Sequence, residues 1–189
     1  MKLIKALGYT SLFFLLTAAR CNKDKEPIDQ LPAETQEGKG TFGCLIDGKI
    51  FIPKKGSFTG TPPLISYYQH LTPGDSGYVF SISAADLSIS DNVKGITVGA
   101  GGLKIYQGQS IVLTSGDKIG EGRGQYTGES RYTQDYYYTN NNGLTGILHI
   151  KMFDEALQIV SGTFYFNATN SLGDTVRVTE GRFDLKYTR

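Results

Sequence analysis

Four tyrosines fall within seven residues, at Tyr132, Tyr136, Tyr137 and Tyr138. In an extended chain Tyr132, Tyr136 and Tyr138 share one side and Tyr137 takes the other. One buried face cannot take them all, so some rings are expected at the surface. An accessible tyrosine offers a flat apolar ring and a hydroxyl, which suits stacking on a sugar or contact with a protein. These four residues are the ligand-binding candidates of the chain. The competing role is ordinary: the rings line the edge of a core with their hydroxyls at its rim. The chain has no tryptophan, which weakens the sugar reading.

Other chemistry finds less support. Hydrolysis of a glycoside needs two carboxylates on opposite sides of a sugar. Glu180 and Asp184 share parity, and Asp154-Glu155 opens a turn, but acidic residues are too common for such pairs to assign a catalytic residue. His70 and His149 are the only histidines, and no G-x-S-x-G elbow is present. GEGRG at 120–124 lacks both the dinucleotide and the P-loop pattern, so no cofactor is implied. Two cysteines and two scattered histidines imply no metal site.

The most specific signal is at the start of the chain, MKLIKALGYTSLFFLLTAARC. Lys2 and Lys5 form a basic n-region, and Leu7 to Ala19 an apolar stretch too short to span a bilayer. Ala18, Ala19 and Cys21 resemble a lipobox, with Arg20 departing from it. Residues 1–20 are read as a lipoprotein signal peptide and Cys21 as the lipidation site. The alternative is plain secretion to the periplasm or beyond. Residues 21–40 are charged, contain Pro27 and Pro32, and hold few apolar side chains, which reads as a flexible tether. Lys23-Asp24-Lys25-Glu26 resembles a surface-export signal of Bacteroidetes lipoproteins.

Loss of residues 1–20 removes Lys2, Lys5 and Arg20 and no acid, which takes the formal charge from +1 to −2. No basic stripe remains to attract nucleic acid. With Cys21 lipidated, Cys44 has no partner. Its apolar setting, FGCLI, suggests a buried thiol. Without lipid, a Cys21–Cys44 bridge is conceivable.

Residues 41–189 read as one all-β domain, an antiparallel β-sandwich or partly closed barrel. Helical periodicity is absent, and 24 glycines mark turns and bulges. Asp47-Gly48 suits a type I′ hairpin turn that pairs Ile46 with Lys49 and Cys44 with Phe51. Both faces of that hairpin are apolar, so both are expected to be covered. GEGRGQYTGES (120–130) is too glycine-rich to read as a strand. In 156–169, Val160, Phe164 and Phe166 point inward and Thr163, Tyr165 and Asn167 outward. Val178 and Phe183 have opposite parity, so one extra residue is needed near Glu180-Gly181, with Gly181 supplying the left-handed backbone. Asp174-Thr175-Val176 and Asn167-Ala168-Thr169 match short glycosylation patterns.

QEGKGTFGCLIDGKIFIP and SGTFYFNATNSLGDTVRVTEGRFDLKY resemble an uncharacterised family of small Bacteroidetes lipoproteins with a leader, a short tether and a β-sandwich-like domain. The resemblance implies an envelope protein and carries no activity or catalytic residue. The expectation is therefore a bacterial envelope lipoprotein, at the outer membrane, held by its N-terminal lipid. It would act as a non-catalytic binding or scaffolding module for a glycan or an envelope protein. The alternative is a glycan-directed hydrolase with an unrecognised carboxylate pair.

Overall fold

The computed structural model describes residues 26–56, 60–88, 93–128, 135–140 and 146–189. Cys21 and Tyr132 lie outside the described residues. Among the described residues eleven strands form one sheet: β1 (Thr41–Ile46), β2 (Lys49–Phe51), β3 (Leu64–His70), β4 (Tyr78–Asp86), β5 (Lys94–Gly101), β6 (Ser110–Thr114), β7 (Gly122–Thr127), β8 (Tyr136–Tyr138), β9 (Gly146–Asp154), β10 (Ile159–Thr169) and β11 (Thr175–Lys186). The spatial order is β2-β1-β11-β10-β9-β6-β7-β5-β4-β3. All pairs are antiparallel except β6 with β7. Short 3-10 turns at Pro27–Gln30 and Asp75–Gly77 are the only helical elements among the described residues.

Two devices curl the sheet. Strand β8 pairs with both β7 and β10, which closes β6, β7, β8, β10 and β9 into a five-strand ring. At the far ends, isolated parallel bridges join Tyr67 to Thr188 and Lys54 to Asp86. The result is a partly closed all-β domain, as the short β-rich runs predict, rather than a clean barrel. Its core includes Phe80, Ile82, Val98, Leu113, Ile150, Phe166 and Val178, each almost wholly buried. Thr139 ties the ring where three strands splay. Its N–H donates to the Gly124 carbonyl at 2.9 Å, and its hydroxyl accepts the Gly124 N–H at 2.9 Å and donates to the Thr114 carbonyl.

The expected turn at Asp47-Gly48 is present, with positive φ at both residues, and Cys44 faces Phe51 across it. Only one face of this hairpin is fully covered, however. Phe42, Cys44 and Phe51 are buried, whereas Ile50 is 37% exposed. Cys44 is fully buried and free, and burial pushes its thiol well above the usual range. Native protein is therefore expected to resist a thiol reagent until denaturant is added. Rapid labelling of Cys44 in the folded state would contradict this burial.

Strand β7 corrects the sequence reading. Its glycines do not make turns; they make room. A Cβ at Gly124 would lie 2.8 Å from the Phe166 ring, and one at Gly122 would lie 2.7 Å from Leu113. Leu113 and Phe166 fill this space from other strands, so β7 contributes bare backbone at Gly122 and Gly124.

The segment read as a tether also differs from expectation, because residues 31–40 are docked. Leu31 is buried, and Pro32 lies where a Cβ at Gly43 would stand. Glu34 pairs with Lys151. The buried Asp184 carboxylate accepts the Thr35 hydroxyl at 2.6 Å and the N–H groups of Glu37 at 3.0 Å, Gly38 at 2.6 Å and Lys39 at 3.2 Å. Gly38 and Gly40 adopt positive φ so that this strap can turn its amides inward.

In β11, Val178 and Phe183 are both buried despite their opposite parity, as expected of a bulged strand. The register shifts between Phe164 and Phe166, with Phe164 opposite Gly181 and Phe166 opposite Val178. The bulge therefore sits at Thr179-Glu180. It is Glu180, not Gly181, that adopts the left-handed backbone, with φ of 54°.

Candidate functional site

Strand β8 places the three described tyrosine candidates. Tyr137 turns inward and packs on Tyr126 with centroids 5.5 Å apart. Tyr136 and Tyr138 turn outward and are 42% and 38% exposed. Their rings stack at 6.2 Å and 18°, and the Arg123 guanidinium lies 5.7 Å from the Tyr138 centroid. Beside them the loop after β10 carries Leu172, which is 84% exposed. Tyr136, Tyr138, Asp135, Thr169, Asn170 and Leu172 line a cleft of about 450 Å³. The loop is held by Asn170, whose side-chain oxygen accepts the N–H groups of Leu172 at 3.0 Å and Asp174 at 2.8 Å. Leu172 is thus presented by an ordered turn, at an apolar exposure that folding alone does not require.

A larger groove was not legible in the sequence. It lies on the outer face of β9, β10 and β11, beside the bulge, with a volume of about 550 Å³. Tyr165, 52% exposed, is part of its lining. The cross-strand row Val112, Ile147, Tyr165 continues its apolar surface. The next row is Ser110, His149, Thr163, Arg182. His149 points outward as expected, with its Nδ1 2.9 Å from the Ser110 hydroxyl. Along β10 the groove and the tyrosine cleft share one face, because Tyr165 and Thr169 have the same parity and Thr169 pairs with Tyr138. Four residues of strand separate them by about 13 Å.

Among the described residues, Asp184, Asp154, Glu34 and Glu180 are each engaged elsewhere and do not face one another as a hydrolytic pair. Asp184 is sealed under the strap with its oxygens occupied. Asp154 accepts the N–H groups of Ala156 and Leu157, both at 2.8 Å, and so shapes the β9–β10 turn. Glu34 and Glu180 do border the groove, but each is exposed and set against a cation, Lys151 and Arg182 respectively. A general acid needs the opposite setting, a dry pocket. Among the described residues no group of three His, Cys, Asp or Glu side chains converges on a metal position, and no helix is long and apolar enough to cross a membrane.

A third cavity, at one end of the domain, is lined by Tyr68, His70, Leu71, Tyr78, Glu155 and Arg189. Its rings are used up on each other. His70 stacks on Tyr78 at 4.2 Å, and Tyr78 stacks on Tyr68 at 5.2 Å. Tyr78 therefore has two ring neighbours, and the Lys104 ammonium lies 5.9 Å from its centroid as well.

Residues 105–184 match the profile of a family described as a domain of unknown function, DUF6252. The matched segment runs from Ile105, just before β6, into β11. It includes all five strands of the ring, the tyrosine cleft and most of the groove. No curated protein and no solved structure gives a match.

Proposed function

We propose that this chain is a non-catalytic binding module of the bacterial cell envelope, lipid-anchored at Cys21 in the outer membrane, that captures a glycan or an envelope protein through the tyrosine cleft. The observation that carries the binding role is the outward pair Tyr136 and Tyr138, stacked on each other beside the exposed Leu172. Rigid aromatic side chains with few rotatable bonds lose little entropy on binding and dominate interface energies. The leader MKLIKALGYTSLFFLLTAARC and the resemblance to Bacteroidetes lipoproteins support the anchor. The docked strap adds to this reading. From Cys21 to the buried Leu31 the chain can extend at most about 35 Å, so a lipid on Cys21 would keep the domain close to the membrane surface.

Tyr136→Ser combined with Tyr138→Ser should leave the fold intact, since exposed substitutions cost little. The same change should weaken capture at least about tenfold, the loss expected of an aromatic anchor. A glycan array and a pull-down from envelope extract, each compared between wild type and the double variant, read this out. Equal capture would overturn the assignment of the cleft. Mass spectrometry should show a mature N-terminus at acylated Cys21; an unlipidated N-terminus elsewhere would overturn the anchor.

A further inference from the structure

We propose that the groove beside the β10–β11 bulge is a subsite for an acidic sugar, with the ring of a uronic acid on Tyr165 and its carboxylate on Arg177. The site is separate from the tyrosine cleft and includes neither Tyr136 nor Tyr138.

The ligand class follows from counting partners. Three cationic side chains line the groove: Lys151, Arg177 and Arg182. Lys151 is paired with Glu34, and Arg182 with Glu180 at 3.4 Å. Arg177 is exposed, and although its backbone N–H is bound by Asp47 Oδ1 at 2.9 Å, its guanidinium has no carboxylate partner among the described residues. One uncommitted guanidinium matches one carboxylate, which it can grip through two parallel hydrogen bonds. It does not match a polyphosphate. Glu34 and Glu180 on the rim would repel further negative charge, and among the described residues no glycine loop or helix N-terminus supplies extra donors there.

The remaining lining suits hydroxyl groups. Glu34 and Glu180 accept hydrogen bonds, and Asn167, Thr163 and His149 can donate or accept. Tyr165 supplies the flat apolar face that a sugar ring needs, extended by Ile147. The bulge positions these groups. By inserting Glu180 it bends β11 next to Tyr165, so that Arg177 and Arg182 flank the ring instead of lying on a flat sheet.

The test uses the mature chain, from Cys21 to Arg189, and calorimetric titration with short oligomers that each carry a single galacturonate, glucuronate or mannuronate residue among otherwise neutral sugars, each alongside its neutral methyl ester. At least one acid oligomer is expected to bind at least tenfold tighter than its ester, with affinity falling as salt is raised. Arg177→Gln should abolish that preference, and Tyr165→Ser should reduce binding of the same oligomer at least tenfold. Tyr136→Ser/Tyr138→Ser should leave it unchanged, which separates this subsite from the cleft. Thermal melts of the variants should match wild type, because both side chains are exposed. Failure of every acid oligomer to bind, equal binding of acid and ester, or unaltered binding by Arg177→Gln would each overturn the proposal.

Discussion

Asp184→Ala is expected to lower the stability of the domain by about 3 kcal/mol, a cost typical of losing a buried, charge-assisted hydrogen-bond network. For a chain of this size that is a fall in Tm of about 6–12 °C. The carboxylate gathers one hydroxyl and three backbone N–H donors from the strap. Its own backbone carbonyl also accepts Gly40 N–H at 2.9 Å. Removing the side chain leaves those donors without their acceptor, and the strap must lift further into water to satisfy them. The loss is therefore limited to what docking of the strap contributes, and the signature is local. Limited proteolysis should cut the variant within residues 34–40 while wild type resists. A variant that melts with wild type and is cut no faster would show that the strap is held by Leu31 and Pro32 instead.

The same carboxylate gives the domain a pH dependence of known sign. Burial alone would raise the Asp184 pKa, but the Thr35 hydroxyl and the N–H groups of Glu37, Gly38 and Lys39 outweigh it and hold the carboxyl below the usual range. A folded value below the unfolded one means that the contribution is fully present above the unfolded value, about 4, and is lost as pH falls through the folded value. The stability gap between wild type and Asp184→Asn, measured by urea unfolding, should therefore be constant from pH 7 to about pH 5 and shrink at lower pH. A gap that widens on acidification would contradict this sign.

What could be read from the sequence was whatever depends on near neighbours. The Asp47-Gly48 hairpin, the inward and outward sides of β10, and the need for a bulge near Glu180 all follow from turn chemistry and a period of two. What could not be read depends on distant partners. The strap looks like solvated linker because the residue that orders it, Asp184, stands 149 positions from Thr35. Strand β7 looks like a loop because its glycines answer to Phe166 and Leu113, which no local pattern reveals. The tyrosine run was visible as a candidate, and parity correctly separated Tyr137 from Tyr136 and Tyr138. The groove was not visible, since its lining comes from three strands and the strap, and the bend that gathers it is a single extra residue.

Next to that extra residue lies the other large effect, Gly181→Val, expected to cost about 3 kcal/mol or more, at the upper end of overpacking changes. Gly181 sits opposite Phe164 with ordinary extended backbone, so conformational freedom is not the reason for glycine here. The reason is space: a Cβ would lie 2.5 Å from the Phe164 carbonyl oxygen and 2.6 Å from its ring. A backbone oxygen cannot swing aside as a flexible side chain can, so β10 and β11 must separate at the bulge. The neighbouring position separates this cause from backbone strain. Glu180 holds a left-handed φ of 54°, which costs a residue with a β-carbon roughly 1–2 kcal/mol. Glu180→Gly relieves that cost and adds about 0.5–1 kcal/mol of unfolded-state entropy. It should therefore match wild type or exceed it by up to about 1.5 kcal/mol. Chemical denaturation of the two single variants decides the matter. If Gly181→Val unfolds near wild type while Glu180→Gly is severely destabilised, the bulge is held by the Glu180 side chain through Arg182 and not by the close approach of Phe164.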